Sequence, residues 1–179
     1  MNSAIPPEGF SIERLDKSLH ERDGFSCGKP ELDNFLRTQA AQDQSKHLGA
    51  THVLCEIGDQ NNARRKVVGY LTLATGNIPL ADCPESIKKL TRMPNLPILL
   101  LGRMAVDHRY KGNRLGEFLL KYALTLAVEI SDRSGCLAVV VDAKDDEAKN
   151  FYLRYGFLEL PERKMTLLLP MQTIKKLFV

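Results

Sequence analysis

Apolar positions along the chain fall into distinct rhythms, and each rhythm predicts an element. Residues 10–15 read as a short first strand. Gly24, Gly28 and Pro30 then punctuate a turn, and Pro30 suits the first position of a helix, where its missing N–H has no partner to lose. From Pro30 to about His47, Leu32, Phe35, Leu36 and Ala40 form a stripe at helical spacing. Residues 51–57 and 67–75 are rich in β-branched side chains and predict two strands, joined by a polar hairpin loop over 59–65. A short helix is predicted over 82–92, ended by Pro94 and Pro97.

The second half has stronger periods. Residues 97–107 (PILLLGRMAVD) are almost continuously apolar, as a strand covered on both faces requires. Beyond the loop 109–116, Leu115, Phe118, Leu119, Tyr122, Ala123, Leu126, Ala127 and Ile130 keep helical spacing without a gap, and Gly135 ends that helix. A buried strand over 136–142, a helix over 145–154, Gly156-Phe157 and a last strand near 164–169 complete the chain. The order strand, loop, helix, strand, helix, strand predicts an α/β protein with a mixed sheet in one domain. The 179-residue length agrees.

Composition excludes several classes. Apolar residues are 44% and charged residues 26%, as in ordinary globular proteins. No apolar run approaches the ~20 residues of a membrane span. The opening MNSAIPPEGF lacks the basic and apolar regions of a secretion leader, so a cytoplasmic protein is expected. Cys27, Cys55, Cys83 and Cys136 form no CxxC pair, and His20, His47, His52 and His108 show no ligand spacing. No metal is expected. The net charge of +3 says little, but its distribution says more. Between residues 85 and 121, Lys88, Lys89, Arg92, Arg103, Arg109, Lys111, Arg114 and Lys121 face only Glu85, Asp107 and Glu117. That segment is +5, the remainder is −2, and an anionic ligand belongs there first.

The loop Arg109-Tyr110-Lys111-Gly112-Asn113-Arg114-Leu115-Gly116 joins a strand to a helix. Amides of a helix's first turn point outward and its dipole favours negative charge, so such a junction can hold an anion. It is neither a P-loop nor a dinucleotide fingerprint. By itself it fits a phosphate site and a solvated basic turn equally well.

The neighbouring segments extend the reading. LGRMAVDHRYKGNRLGEFLL followed by VVVDAKDDEAKNFYLRYGF resembles the GCN5-related N-acetyltransferase (GNAT) superfamily. The family's Gln/Arg-x-x-Gly-x-Gly/Ala pyrophosphate loop falls on Lys111, Arg114 and Gly116. Lys111 departs from Gln/Arg and Arg114 from Gly, while Gly116 conforms. A second family segment, Asn-x-x-Ala-x-x-Phe-Tyr-x-x-x-Gly-Phe, matches Asp145 to Phe157 with Asp145 in place of Asn. The resemblance implies a single GNAT domain over 1–179. Its central sheet is mostly antiparallel with helices on both faces, and a splayed strand pair receives acetyl-CoA. It further implies a substrate half over about 1–95, a cofactor half over about 96–169 and a tail at 170–179. Implied cofactor contacts are Met104, Ala105, Val106, Arg109, Lys111, Gly112, Asn113, Arg114, Leu115, Gly116, Asp145, Asn150 and Phe151. Tyr152 takes the place of the family's tyrosine acid for the leaving thiolate; the alternative is a core tyrosine on an amphipathic helix.

The N-terminal half narrows the branch. Residues 25–36 (FSCGKPELDNFL) resemble a Phe-x-Cys-Gly-x-x-x-Leu-x-x-Phe/Tyr-Leu signature of the acetyltransferase toxins of type II toxin–antitoxin pairs. That branch implies acetylation of the α-amine of an aminoacyl-tRNA, a ribbon-helix-helix antitoxin and a homodimer. The chemistry is compatible. A free α-amine titrates near ~7.7–8.0 and is partly neutral without help, whereas a lysine amine at ~10.4 needs a base. No acid in the catalytic half stands alone on an apolar strand, and Glu56 reads as a solvated strand end. Lys29, Arg37, Lys88, Lys89, Arg92 and Arg103 are the candidates for RNA phosphates. A housekeeping acetyltransferase of a peptide or small amine, and an inactive acyl-CoA sensor or RNA-binding module, stay open.

Overall fold

The computed structural model describes residues 4–58 and 64–177. In chain order, β1 is Phe10–Arg14 and β2 is His20–Glu21. A helical stretch follows as α1 (Pro30–Asn34), a π turn (Phe35–Gln39) and α2 (Ala40–Ser45). Next come β3 (Ala50–Glu56), β4 (Arg65–Pro79), α3 (Glu85–Lys88), β5 (Asn95–Val106) and α4 (Leu115–Ser134). The chain continues with β6 (Ala138–Asp142), α5 (Asp146–Arg154), β7 (Leu158–Glu159), β8 (Thr166–Pro170) and α6 (Met171–Leu177). The mixed α/β class expected from the sequence is found. Contacts divide the chain into two compact units, Asn2–Ala74 with Arg103–Ala123 and Thr75–Gly102 with Leu124–Val179.

In the first unit β1 pairs antiparallel with β3, and β3 antiparallel with β4, with a bulge at Leu54/Cys55. The two-residue β2 lies parallel to β4. The core combines the helical stretch with the strands: Leu32, Phe35, Leu36 and Ala40 pack with Phe25, Val53, Cys55, Val67 and Tyr70. Burying the three large side chains of the helical stretch, Leu32, Phe35 and Leu36, contributes on the order of 5–9 kcal/mol before chain entropy is charged against it. Gly69 is required by close packing. A Cβ there would lie 3.1 Å from Leu119 Cδ1 and 3.3 Å from the Ala105 carbonyl.

The first helix is one continuous stripe in sequence but not one α-helix. At residues 35–39 the hydrogen-bond ring widens by one residue. Such a turn disturbs backbone carbonyls that an α-helix would pair. Arg22 meets the disturbance from outside the helix: its Nη1 donates to the Leu36 and Arg37 carbonyls, each at 3.2 Å. His47, at φ +59, closes the stretch in the left-handed region.

In the second unit β5 and β6 pair in parallel, and β6–β8–β7 pair antiparallel. Its core holds Ile78, Cys83, Ile87, Leu96, Ile98, Ala138, Val140, Leu160 and Leu168. The helix predicted over 82–92 is reduced to a 3₁₀ turn, Leu80–Asp82, and the single turn α3. Pro84 is the reason: it stands at the cap of α3, where a ring without N–H can start a helix but not continue one. Beyond the last strand the apolar tail forms α6, with Met171 and Ile174 buried. Most of the hairpin loop predicted over 59–65 lies outside the described residues. No helix among the described residues is long and apolar enough to cross a membrane.

Candidate active site

The site begins where burial of β5 relaxes. Leu101 and Ala105 are buried, but Gly102, Arg103, Met104 and Val106 are only half-buried, so the strand's final stretch is not covered on both faces. Asp107 then turns the chain. Its N–H donates to the Val68 carbonyl at 2.8 Å, and its side chain caps the 3₁₀ turn His108–Tyr110 by accepting from the Arg109 N–H at 3.0 Å. The loop that follows has two residues with positive φ, Gly112 at +88 and Arg114 at +57. Open space surrounds Gly112 where a Cβ would stand. Helix α4 starts at Leu115, which is buried and anchors the loop. Its first ladder bond runs from the Phe118 N–H to the Arg114 carbonyl. The amides of Leu115, Gly116 and Glu117 therefore precede the helical ladder and are the groups an anion can take. Exposed Lys111 and Arg114 add charge beside them.

Arg114 occupies the position where the family pattern has glycine, and it adopts the backbone conformation that glycine supplies without cost. The turn is retained and the substitution is borne as strain. Its guanidinium lies along the first turn of α4, with Nε 3.0 Å from Glu117 Oε2, while Lys121 Nζ stands 2.8 Å from Glu117 Oε1. Lys121 and then Arg114 hold the Glu117 carboxyl below its ordinary range.

Arg109 is exposed but is engaged by its own loop and by the segment before α1. Its Nε donates to Asp107 Oδ1 at 2.8 Å, and its Nη2 to Asp107 Oδ2 at 2.6 Å and to the Gly24 carbonyl at 2.8 Å. In the same unit the Arg103 guanidinium stands over Phe35, 3.7 Å from the ring centroid. Arg37 Nη1 donates to the Phe25 carbonyl at 3.1 Å, and Lys29 is the half-buried N-cap of α1. Glu56 ends β3 with its carboxylate 3.8 Å from Lys66 Nζ. The first unit thus gathers the implied cofactor residues of 104–116 with Lys29, Arg37 and Arg103.

The second unit carries the other implied residues. Asp145 is the N-cap of α5, and its Oδ1 accepts from the Ala148 N–H at 2.8 Å. Asn150 is exposed and Phe151 half-buried, with the Arg154 guanidinium over its ring. Tyr152 is buried at 7% exposure, edge-on to Phe151 and tilted against Phe157. Burial alone pushes its phenol well above the usual range, so the proton stays on at neutral pH. Lys88 pairs with Glu85, while Lys89 and Arg92 are exposed near the end of α3.

Two residues with large structural roles carry no site signal in the sequence. Asp107 and Asp33 are buried carboxylates, at 0% and 6% exposure. Burial would raise Asp107, but the Arg109 side chain and the Arg109 and Ser26 amides outweigh it and hold the carboxyl well below the carboxylate range. It is a fixed anion, and no raised-pKa base stands on this strand.

The chain matches the model of the acetyltransferase (GNAT) domain over residues 49–159. It is 33% identical over 170 residues to a tRNA-acetylating toxin of Mycobacterium tuberculosis (strain ATCC 25618 / H37Rv), across 94% of this chain and 97% of that protein. Among solved structures it resembles AtaT complexed with acetyl-methionyl-tRNAfMet, with TM-score 0.86 and 29% identity over 95% of this chain and 99% of that one. It also resembles an AtaT mutant toxin bound to the C-terminus of the antitoxin AtaR and acetyl-CoA, with TM-score 0.82 and 26% identity over 96% and 99%. By the span of the domain match and the near full-length likeness to an acetylating relative, the chain belongs to the GNAT acetyltransferase family.

Proposed function

We propose that this protein is a toxin that acetylates the α-amine of an aminoacyl-tRNA from acetyl-CoA and so blocks translation. One observation carries this reading. The likeness to AtaT with acetyl-methionyl-tRNAfMet runs over 95% of this chain, so it includes the N-terminal half as well as the cofactor loop. A likeness confined to the loop would speak for acetyl-CoA alone.

Acetyl-CoA supplies an activated acyl group as a thioester. The turn at Gly112–Leu115 fits its pyrophosphate, since amides at the head of α4 and the charges of Lys111 and Arg114 converge beside open space. Leu115 and Gly116 hold that turn to the helix. Met104, Ala105 and Val106 lie on the half-buried end of β5, where a splayed strand edge receives the acyl arm and a backbone N–H steadies the charge on its oxygen. Asn113 flanks the turn, and Asp145, Asn150 and Phe151 shape the start and middle of α5. Tyr152, kept protonated by burial, is the acid for the thiolate. A partly neutral α-amine needs no strong base, in keeping with a half-exposed Glu56 and a fixed anion at Asp107.

Lys29, Arg37, Lys88, Lys89, Arg92 and Arg103 bind RNA phosphates. The chain acts as one N-acetyltransferase domain in the cytoplasm, as a homodimer silenced by a ribbon-helix-helix antitoxin. It uses no metal. Glu13, His20 and Cys55 place donor atoms within 4.8 Å of one another, but His20 Nδ1 accepts the Asp16 N–H at 2.8 Å. Its Nε2 therefore carries the proton that a metal would have to displace, whereas a ligating histidine donates from its other nitrogen. The test is mass spectrometry of charged tRNA after incubation with protein and acetyl-CoA. A gain of one acetyl group on the amino acid supports the reading, and acetylation of peptides or free amines alone overturns it.

A further inference from the structure

We infer that Asp107 is a positioning residue that clasps the cofactor loop to the acceptor-side segment 24–27, so that acetyl-CoA affinity depends on residues that never meet the cofactor. The inference rests on the loop being the acetyl-CoA site. It is carried by a polar clasp built around four backbone residues.

From the loop side, Asp107 Oδ2 accepts the Ser26 N–H at 3.1 Å while the same carboxylate holds Arg109 at three points. The backbone N–H of His108 donates to the Ser26 carbonyl at 2.8 Å, and its ring Nδ1 lies 2.7 Å from the same oxygen. A carbonyl only accepts, so that nitrogen bears the ring proton. Arg109 Nη2 completes this side by donating to the Gly24 carbonyl. From the helix side, Asp33 Oδ1 accepts the Cys27 N–H at 2.8 Å, and Asp33 Oδ2 accepts the Ser26 hydroxyl at 3.2 Å. Arg37 donates to the Phe25 carbonyl. Segment 24–27 is thus gripped between residues 107–109 and residues 33–37.

A carboxylate that is wholly buried and shared among four donors has one arrangement that satisfies it. That arrangement fixes the direction in which the chain leaves β5, and so where the amides of the next turn point. Asparagine keeps the volume but offers one acceptor atom and turns an NH₂ toward N–H donors. The loop shifts, and a site that needs several convergent amides loses affinity. Met104–Val106, which face the acyl arm, are held by β5 itself and not by this carboxylate, so turnover by a saturated enzyme is spared. The far end of the clasp belongs to α1, on the acceptor side.

The test titrates acetyl-CoA, and separately 3′,5′-ADP, calorimetrically into the full-length wild type, Asp107→Asn and Asp33→Asn, with thermal melts in parallel. The titrations need no acceptor, so the affinities are independent of whether aminoacyl-tRNA is the substrate; only kcat is read with charged tRNA. If charged tRNA is not acetylated while the wild type binds acetyl-CoA, the functional reading fails and this one stands. Expected is a loss of about tenfold in affinity for both ligands in Asp107→Asn, within the range typical of coupled sites. A smaller loss is expected in Asp33→Asn, and kcat at saturating acetyl-CoA stays within about twofold of wild type by the same separation of binding from chemistry. Unchanged affinity in a folded Asp107→Asn overturns the inference, as does a fall in kcat at unchanged affinity. Should Asp107→Asn not fold, Asp33→Asn decides: unchanged affinity there overturns it.

Discussion

His52 on β3 and Tyr122 on α4 are a matched pair: the imidazole Nδ1 lies 3.0 Å from the phenol oxygen, and the rings meet edge to face at 5.4 Å. Burial, with a contribution from the Arg14 charge, pulls His52 down to about 4. The unfolded ring titrates near ~6.5, so the unfolded state takes up the proton first. Stability from this pair is fully present above that value and is lost as pH falls from it toward about 4. The loss amounts to at most about 3 kcal/mol. Thermal melts between pH 7 and 5 should show a steeper decline for wild type than for His52→Gln. Equal slopes would assign the decline to other groups.

Tyr152→Phe removes only a hydroxyl at which no charged neighbour acts. Loss of a general acid lowers kcat by about 10²–10⁴-fold. Acetyl-CoA affinity and melting temperature should hold, because the packing on Phe151 and Phe157 is kept. Glu56→Gln should change kcat by less than about threefold, as expected for a half-exposed carboxylate remote from any proton-transfer need. Single-turnover acetylation of charged tRNA measures both, and a larger fall from the Glu56 change would transfer the proton chemistry to that residue.

Most elements were legible because their periods are unbroken. The spacing from Leu115 to Ile130 produced α4, and the alternation of glycines with basic residues marked the turn before it. What stayed hidden depends on partners distant in sequence. Nothing within residues 30–47 signals a π turn, because the donor that meets its carbonyls is Arg22, outside the stretch. The role of Asp107 is invisible for the same reason, since its partner Ser26 lies 81 residues away. The loop motif was readable through its departures: at Arg114 the side chain changed while the backbone conformation did not.

Arg114→Gly should stabilise the protein. A side chain in the left-handed region costs roughly 1–2 kcal/mol, partly offset by the greater freedom of glycine in the unfolded chain. A net gain of about 0.5–1 kcal/mol and a small rise in melting temperature follow. Gly112→Ala, at φ +88, should move the other way. A lower melting temperature for Arg114→Gly would mean that the pairing with Glu117 outweighs the strain.

The basic residues at the end of α3 should appear in salt dependence. If Lys88, Lys89 and Arg92 each neutralise one RNA phosphate, their share of the rise in KM for charged tRNA between 50 and 200 mM salt is about twentyfold. Their triple alanine variant should flatten the log–log slope by about 2–3 units. An unchanged slope would place the RNA on another face.

The π turn at Phe35–Gln39 also has a consequence for insertions and deletions. A π turn amounts to an α-helix that has accepted one extra residue. Removing one position from it would restore ordinary winding at ~100° per residue and leave the faces on either side in phase. Leu32 would keep the core it shares with Ala40, and Asp33 its hold on the Cys27 amide. The carbonyls of the turn would find donors inside the helix, and Arg22 would lose its two acceptors. In homologous chains a one-residue deletion inside this helix should therefore come paired with a change at Arg22, since the extra residue and its outside partner form one heritable unit.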